Sequence, residues 1–223
     1  VRVLGIETST RRGSVAVTLD GKVLGALFHE ELNAHAERVL GLIEELLASA
    51  GWTRGSLDRV AVGVGPGSFT GLRVGIALAQ GIALGLARPL IGVGSLRAMA
   101  SGLPAEDART RVAVLDARRG ELFVAAYAPN GDELLAPNAL PVAEAEATLK
   151  TALAGRSVVL VGEGAPLLGG DFAVERGPEL DLPHAAVVAR LGAVLEPASS
   201  LADPVYVRGP GATPQNLPPS PLG

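Results

Sequence analysis

The sequence predicts an α/β fold of two tandem lobes, each in the order ββ(β)αβα. Three observations predict it. Two hairpin turn signals, Asp20-Gly21 and Asn130-Gly131, each separate runs of strand-like residues, one in each half of the chain. In both halves a helical pattern and a short apolar strand follow the hairpin. Between the halves, residues 103–110 are polar, charged and proline-bearing, as expected of a boundary. No residue motif repeats between the halves, so the repeat is one of architecture. The expected lobes are 1–104 and 105–208. Residues 209–223 are rich in Pro and Gly, lack periodicity, and read as a disordered tail.

Residues 1–7 are apolar and β-branched and read as the first strand, with no signal-peptide pattern. Thr8-Ser9-Thr10-Arg11-Arg12-Gly13 is turn-like. Residues 14–19 alternate, with Val15, Val17 and Leu19 on one face, and 22–29 return. Residues 34–50 place Val39, Leu40, Leu42, Ile43, Leu46 and Leu47 at helical spacing, and Gly51 stops the helix. That apolar stripe is wider than one core face needs. Residues 58–64 form the next strand.

The run Val62-Gly63-Val64-Gly65-Pro66-Gly67-Ser68-Phe69-Thr70-Gly71-Leu72-Arg73-Val74-Gly75 then leads from strand to helix. Free backbone N–H groups there meet the positive end of a helix dipole, an arrangement suited to an anion. The same glycines also make a plain tight turn. The run is not a P-loop, because no Lys follows its last glycine. In the helix, 71–87, only Arg73 and Gln80 are strongly polar. A helix apolar all round is buried all round. It is short and rich in Gly and Ala for a membrane span. Gly71, Gly75 and Ala79 form a small-residue ridge that lets another helix approach closely. Its outer face is therefore expected to pack either deep in its own domain or on a partner. Residues 89–93 are a short strand, and Ser95 is expected to cap a short helix to 101. The second half reads as strands at 111–115, 121–128 and 133–136, a helix at 144–154, strands at 157–161 and 172–174, and a helix at 185–195.

The chain has 223 residues and a net charge of −4, with no basic run, which makes it a poor nucleic-acid binder by itself. It contains no cysteine, which excludes disulfides and thiolate metal sites and fits a reducing cytoplasm. His29, His35 and His184 make no i, i+4 pair, so a histidine metal site is not expected. Glu7 ends the first strand, where an acid suits either a metal-bound phosphate or the amides of the following turn. Asp116, Arg118, Arg119 and Glu121 read as a salt-bridged hairpin. Ser68 and Thr70 would need His29 or His35 beside them to act as nucleophiles. No complete catalytic set is legible.

Ile6-Glu7-Thr8-Ser9, Ala34-His35-Ala36-Glu37, Gly65 to Gly75, Asp116-Ala117-Arg118-Arg119-Gly120-Glu121 and Pro204-Val205-Tyr206-Val207-Arg208 together resemble the TsaB (YeaZ) family, over nearly all of residues 1–208. The resemblance implies the actin, Hsp70 and sugar-kinase (ASKHA) fold. It also implies a cytoplasmic, non-catalytic scaffold in the modification of transfer RNA with threonylcarbamoyladenosine. The implied partners are the catalytic paralogue TsaD and the ATPase TsaE, with a homodimer when alone, transfer RNA only through the complex, and no membrane. TsaD binds metal through His-x-x-x-His, where this chain has Ser95 and Met99. The expected partner interface comprises Val39, Leu42, Ile43, Leu46, Arg73, Leu78, Ala79 and Ile82. Glu7, Ser9, Gly67, Ser68 and Thr70 are the nucleotide- or anion-binding candidates. No cofactor is intrinsic, and ATP or ADP binds at most weakly at the interface of the complex. Glu7 departs from the family's more usual Asp, which weakens the case for a nucleotide at that position. The competing readings are a sugar-kinase-like phosphotransferase and, disfavoured by the missing histidines, a glycoprotease-type metallopeptidase.

Overall fold

Arg2–Glu7 form β1, which runs through the middle of the first sheet. β2 (Gly13–Leu19) pairs with it antiparallel, with Leu4 opposite Val17, and β3 (Lys22–His29) returns along β2. The helix α1 (His35–Ser49) follows, then β4 (Arg59–Gly63), parallel to β1 with Leu4 opposite Val60. The long helix α2 (Phe69–Leu86) leads to β5 (Leu90–Val93), parallel to β4, and to the short helix α3 (Ser95–Ala100). The sheet order is β3-β2-β1-β4-β5. Its inner strands are buried on both faces, which is why they read as unbroken apolar runs. The structure, a computed structural model, describes residues 1–31, 34–197 and 202–207. The tail expected at 209–223 lies outside the described residues.

The second half repeats the plan. β6 (Thr110–Arg118), β7 (Glu121–Tyr127) and β8 (Glu133–Pro141) form an antiparallel meander, α4 (Val142–Ala152) follows, and β9 (Val158–Val161) and β10 (Ala173–Glu175) add in parallel. The order β8-β7-β6-β9-β10 matches the first sheet strand for strand. β8 runs five residues beyond the expected 133–136. It lies at the sheet edge, where Pro137 and Pro141 remove no ladder bond. Between β9 and β10 the chain makes only a short 3₁₀ turn, so this lobe has no counterpart of α2. The last helix is α5 (Ala185–Val194).

Two helices cross between the sheets. Leu96 and Met99 of α3 pack with Ala113, Phe123 and Val161 of the second sheet. Ala185, Val188 and Ala189 of α5 pack with Val3, Ala16 and Ala61 of the first. Gly5 permits this, since a Cβ there would run into the α5 backbone at Ala185. The lobes are thus held together by exchanged helices as well as by the chain between them.

The other face of the first sheet meets α1 and α2 through a core of Leu4, Ile6, Val15, Val17, Val60 and Val62. Here the structure corrects the expected interface. Val39, Ile43, Leu46 and Ala79 lie in that core, from 0 to 4% exposed, and cannot face a partner. The ridge Gly71-Gly75-Ala79 likewise faces inward. Cβ atoms at Gly71 and Gly75 would collide with the carbonyl and hydroxyl oxygens of Thr8. Nor is α2 buried all round. It passes a membrane helix's length and hydropathy test, yet one face lies on the sheet and the other is exposed.

α2 ends on Ala87 in the left-handed region (φ 51°), a conformation glycine adopts without the Cβ penalty. Ala87→Gly is expected to stabilise the fold by roughly 0.5–1 kcal/mol, read as a higher denaturation midpoint in urea. An unchanged or lower midpoint would contradict it.

Candidate functional site

Glu7 is fully buried where the first sheet ends. The Ser9 amide donates to its Oε1 at 2.7 Å, and Ser95 Oγ donates to Oε2 at 3.0 Å. Ser95 Oγ in turn accepts from Gly65 N at 3.2 Å, and Ser95 N donates to the Gly65 carbonyl at 2.7 Å. Gly63 makes room for the carboxylate, since a Cβ there would overlap it. Burial pushes the Glu7 carboxyl above its usual range, while the hydrogen bonds from Ser9 and Ser95 pull it down. One acid thus joins the β1–β2 turn, the glycine turn and α3. Contrary to the expectation that Ser95 caps α3, it serves Glu7 from the first helical position. The cap position belongs to Gly94.

In front of this knot lies a cleft between the lobes, about 1100 Å³ in volume. Ser9, Gly67, Ser68 and Thr70 line one wall, and residues 115–119 of the second lobe line the other. Ser68 caps α2, its Oγ accepting from Gly71 N at 3.2 Å, so the helix N-terminus points into the cleft. Four of the five anion candidates therefore share this wall. Glu7 does not reach it. The acids that do, Asp116 and Glu163, are paired with Arg118 and Arg11.

The far wall carries two arginines, Arg118 and Arg119, and two acids, Asp116 and Glu163. Arg118 and Arg119 both adopt left-handed backbone (φ 64° and 59°), followed by Gly120 at 78°. This strained turn presents both guanidiniums at the rim. On the near side Phe69 and Tyr206 are half-exposed, their rings 5.4 Å apart, and the Arg73 guanidinium lies 3.9 Å from the Phe69 ring centre. Tyr206 is brought there by the segment 202–207, whose Val205 N donates to the Val64 carbonyl at 2.7 Å. Sequence reasoning missed this aromatic pair, although Phe69 stands inside the glycine run.

His29 and His35, apart in sequence pattern, meet in space. His35 Nε2 lies 2.9 Å from the Thr10 carbonyl and so carries the proton toward it. Its Nδ1, 3.1 Å from His29 Nε2, accepts from that ring in the neutral pair. His35 lines the cleft with Ser68 and Thr70, but both its nitrogens are engaged by Thr10 and His29. Among the described residues no three of His, Cys, Asp or Glu gather as a metal site. Burial first, then His35 and Arg38, hold His29 below the usual histidine range, with Glu31 opposing. Burial likewise lowers His184, whose Nδ1 accepts from Ala186 N at the start of α5. The unfolded chain takes up these protons near pH 6.5 and the folded chain does not. Their stability contribution is present above about pH 6.5 and is lost as pH falls toward the folded values. Thermal midpoints should therefore drop between pH 7.5 and 5, less so in His29→Asn. Parallel profiles for the two proteins would remove His29 from the account.

A second surface lies on the outer faces of α1 and α2. Ala77, Gly81 and Gly85 form an exposed small-residue ridge, flanked by Leu78 and Ile82 of α2 and Leu40 of α1. Together they line a groove of about 380 Å³. Leu84 beside it is 82% exposed. Of the expected interface residues, Leu42, Leu78 and Ile82 are half-buried and Arg73 is exposed. The Arg73 guanidinium stacks on the Phe69 ring.

Residues 29–158 match the family described as "TsaD: tRNA N6-adenosine threonylcarbamoyltransferase". The Escherichia coli "tRNA threonylcarbamoyladenosine biosynthesis protein TsaB" is 43% identical over 128 residues, 57% of this chain and 55% of that protein. A Pseudomonas aeruginosa structure described as similar to peptidase YeaZ superposes with a TM-score of 0.78 at 30% identity, covering 93% of this chain and 99% of its own. The chain belongs to the TsaB/YeaZ family. It spans about half the length of the curated TsaB relatives it matches. An activator of 2-hydroxyisocaproyl-CoA dehydratase from Clostridium difficile matches with a TM-score of 0.52 at 10% identity, which shows the fold alone. The two repeated sheets with exchanged helices are the ASKHA fold. Ser95 and Met99 are both buried, Ser95 bonded to Glu7 and Met99 packed in the core of the second sheet.

Proposed function

We propose that this chain is the non-catalytic scaffold subunit of the cytoplasmic assembly that places threonylcarbamoyl on the adenosine beside the anticodon of transfer RNA. It pairs there with the catalytic subunit TsaD and with the ATPase TsaE. The observation that carries the reading is the outer face of α1 and α2, an apolar groove with a glycine ridge on a chain of this family. No Cβ on Gly81 or Gly85 would touch anything within 4 Å, so a partner helix can approach the backbone closely. In the absence of TsaD the same face joins two copies of this chain. Arg73 stands exposed near one end of that face and is offered to an acid on the partner. Any ATP or ADP is held weakly at the interface of the complex, not by Glu7.

A pull-down with the cognate TsaD, followed by a transfer-RNA modification assay with and without this chain, tests the proposal. The expected result is co-purification, and modification that requires the chain. Turnover of threonylcarbamoyl-adenylate by the chain alone would overturn the non-catalytic role. Full modification without it would overturn the scaffold.

A further inference from the structure

We infer that the cleft between the lobes is itself an RNA contact: it holds an unpaired nucleotide of a single strand, with the base against Phe69 and Tyr206 and the phosphates on Arg118 and Arg119. The inference rests on the function proposed above only for which RNA is meant. The chain carries a net charge of −4, so its surface as a whole repels a polyanion. The cleft rim is the local exception. Arg11, Arg73, Arg118 and Arg119 border it against two acids, Asp116 and Glu163. Arg118 is open to solvent although Asp116 lies beside it, and Arg119 is exposed at the tip of a left-handed turn. Holding two consecutive arginines in left-handed backbone carries strain, which the fold retains while aiming both at the cleft.

Opposite them are two of the few aromatic residues in the sequence. Phe69 is 53% and Tyr206 48% exposed, far more than a core role requires. They come from segments far apart in the chain, and the Val205–Val64 bond fixes one against the other. An aromatic platform facing a cationic rim is the chemistry that takes a base by stacking and its phosphate by charge, with no sequence preference. The cleft, about 1100 Å³, exceeds what one nucleotide fills, leaving room for the strand to enter and leave. Among the described residues the cleft's two carboxylates, Asp116 and Glu163, lie against Arg118 and Arg11. A duplex cannot present a base to the platform without opening.

The test uses the full chain alone and a fluorescein-labelled 17-nucleotide single-stranded RNA of mixed sequence, followed by fluorescence anisotropy in low salt. The expected result is saturable binding, unaffected by EDTA and at least tenfold weaker for the same RNA annealed as a duplex. Phe69→Ala and Tyr206→Ala should each weaken it by roughly tenfold. Arg118→Ala/Arg119→Ala should weaken it and flatten its salt dependence by roughly one unit of log–log slope. All four positions are exposed, and circular dichroism confirms that each variant is folded. Absence of binding overturns the inference. So does binding that ignores both sets of substitutions, binding equal for single strand and duplex, or displacement by ADP with magnesium at concentrations where the RNA does not compete. Because TsaD is absent from this assay, a failed pull-down leaves its result unchanged. RNA binding here would not restore a scaffold role refuted there.

Discussion

Gly75→Ala is expected to destabilise the protein by about 3 kcal/mol, at the upper end for overpacking. The added Cβ would fall inside the radius of Thr8 Oγ1, whose hydroxyl donates to the Gly71 carbonyl at 2.8 Å. Neither neighbour can give easily. Thr8 is fully buried in the β1–β2 turn, and the helix backbone is held on the other side by Leu72 and Ile76 in the core. Moving α2 outward would also pull the glycine turn away from Ser9, where Ser68 N donates to the Ser9 carbonyl at 2.7 Å. For a chain of this length the loss corresponds to a fall in melting temperature of roughly 6–12 °C. Gly41→Ala is the control: it lies on exposed α1, nothing would touch its Cβ, and it should stabilise by up to about 1 kcal/mol. Equal effects at the two positions would mean that α2 does not rest on Thr8.

Ala77→Glu/Gly81→Glu is expected to abolish both self-association and TsaD binding, by a hundredfold or more in affinity, while leaving the melting temperature within a few degrees. Both positions are exposed on α2, so the isolated chain tolerates the charges. A close helix–helix contact does not, because an unpaired carboxylate buried there costs several kcal/mol. Ala79→Glu, two residues away, should instead unfold the lobe, since Ala79 is fully buried beneath the helix. Size-exclusion chromatography with light scattering reads the self-association, and co-purification reads the partner. A double variant that still dimerises and still binds TsaD would move the interface off α2. If the double variant also melted early, the groove would be part of this chain's own core.

The two lobes, the hairpins at Asp20-Gly21 and Asn130-Gly131 and most helices were legible in the sequence. Each depends on periodicity or turn chemistry within about a dozen residues, and the same signals act locally in the folded chain. The glycine run also announced its strand–turn–helix geometry. The direction in which α2 faces was not legible. Gly71-Gly75-Ala79 and Ala77-Gly81-Gly85 are ridges of the same spacing on opposite sides of one apolar helix. Local pattern cannot distinguish them. The approach of Thr8 from a distant strand determines which ridge is inside. On α1 the stripe was real, but Val39, Ile43 and Leu46 belong to the core beneath it with Leu42 packed against them, and only Leu40 reaches the groove.

The site divides in the same way. The sequence grouped Ser9, Gly67, Ser68 and Thr70 as anion-binding candidates, and the structure puts them on one wall because the β1–β2 turn and the glycine turn end the neighbouring parallel strands β1 and β4. The sequence did not show that Glu7 turns inward to Ser95, which depends on the missing Cβ of Gly63. Nor did it bring His29 to His35 or Phe69 to Tyr206. Those meetings come from the corner between β3 and α1 and from the return of residues 202–207 across the end of the first sheet. Residue chemistry and local periodicity were the sequence's to determine. Which of those groups share a wall, and which are enclosed, was decided by packing between segments far apart in the chain.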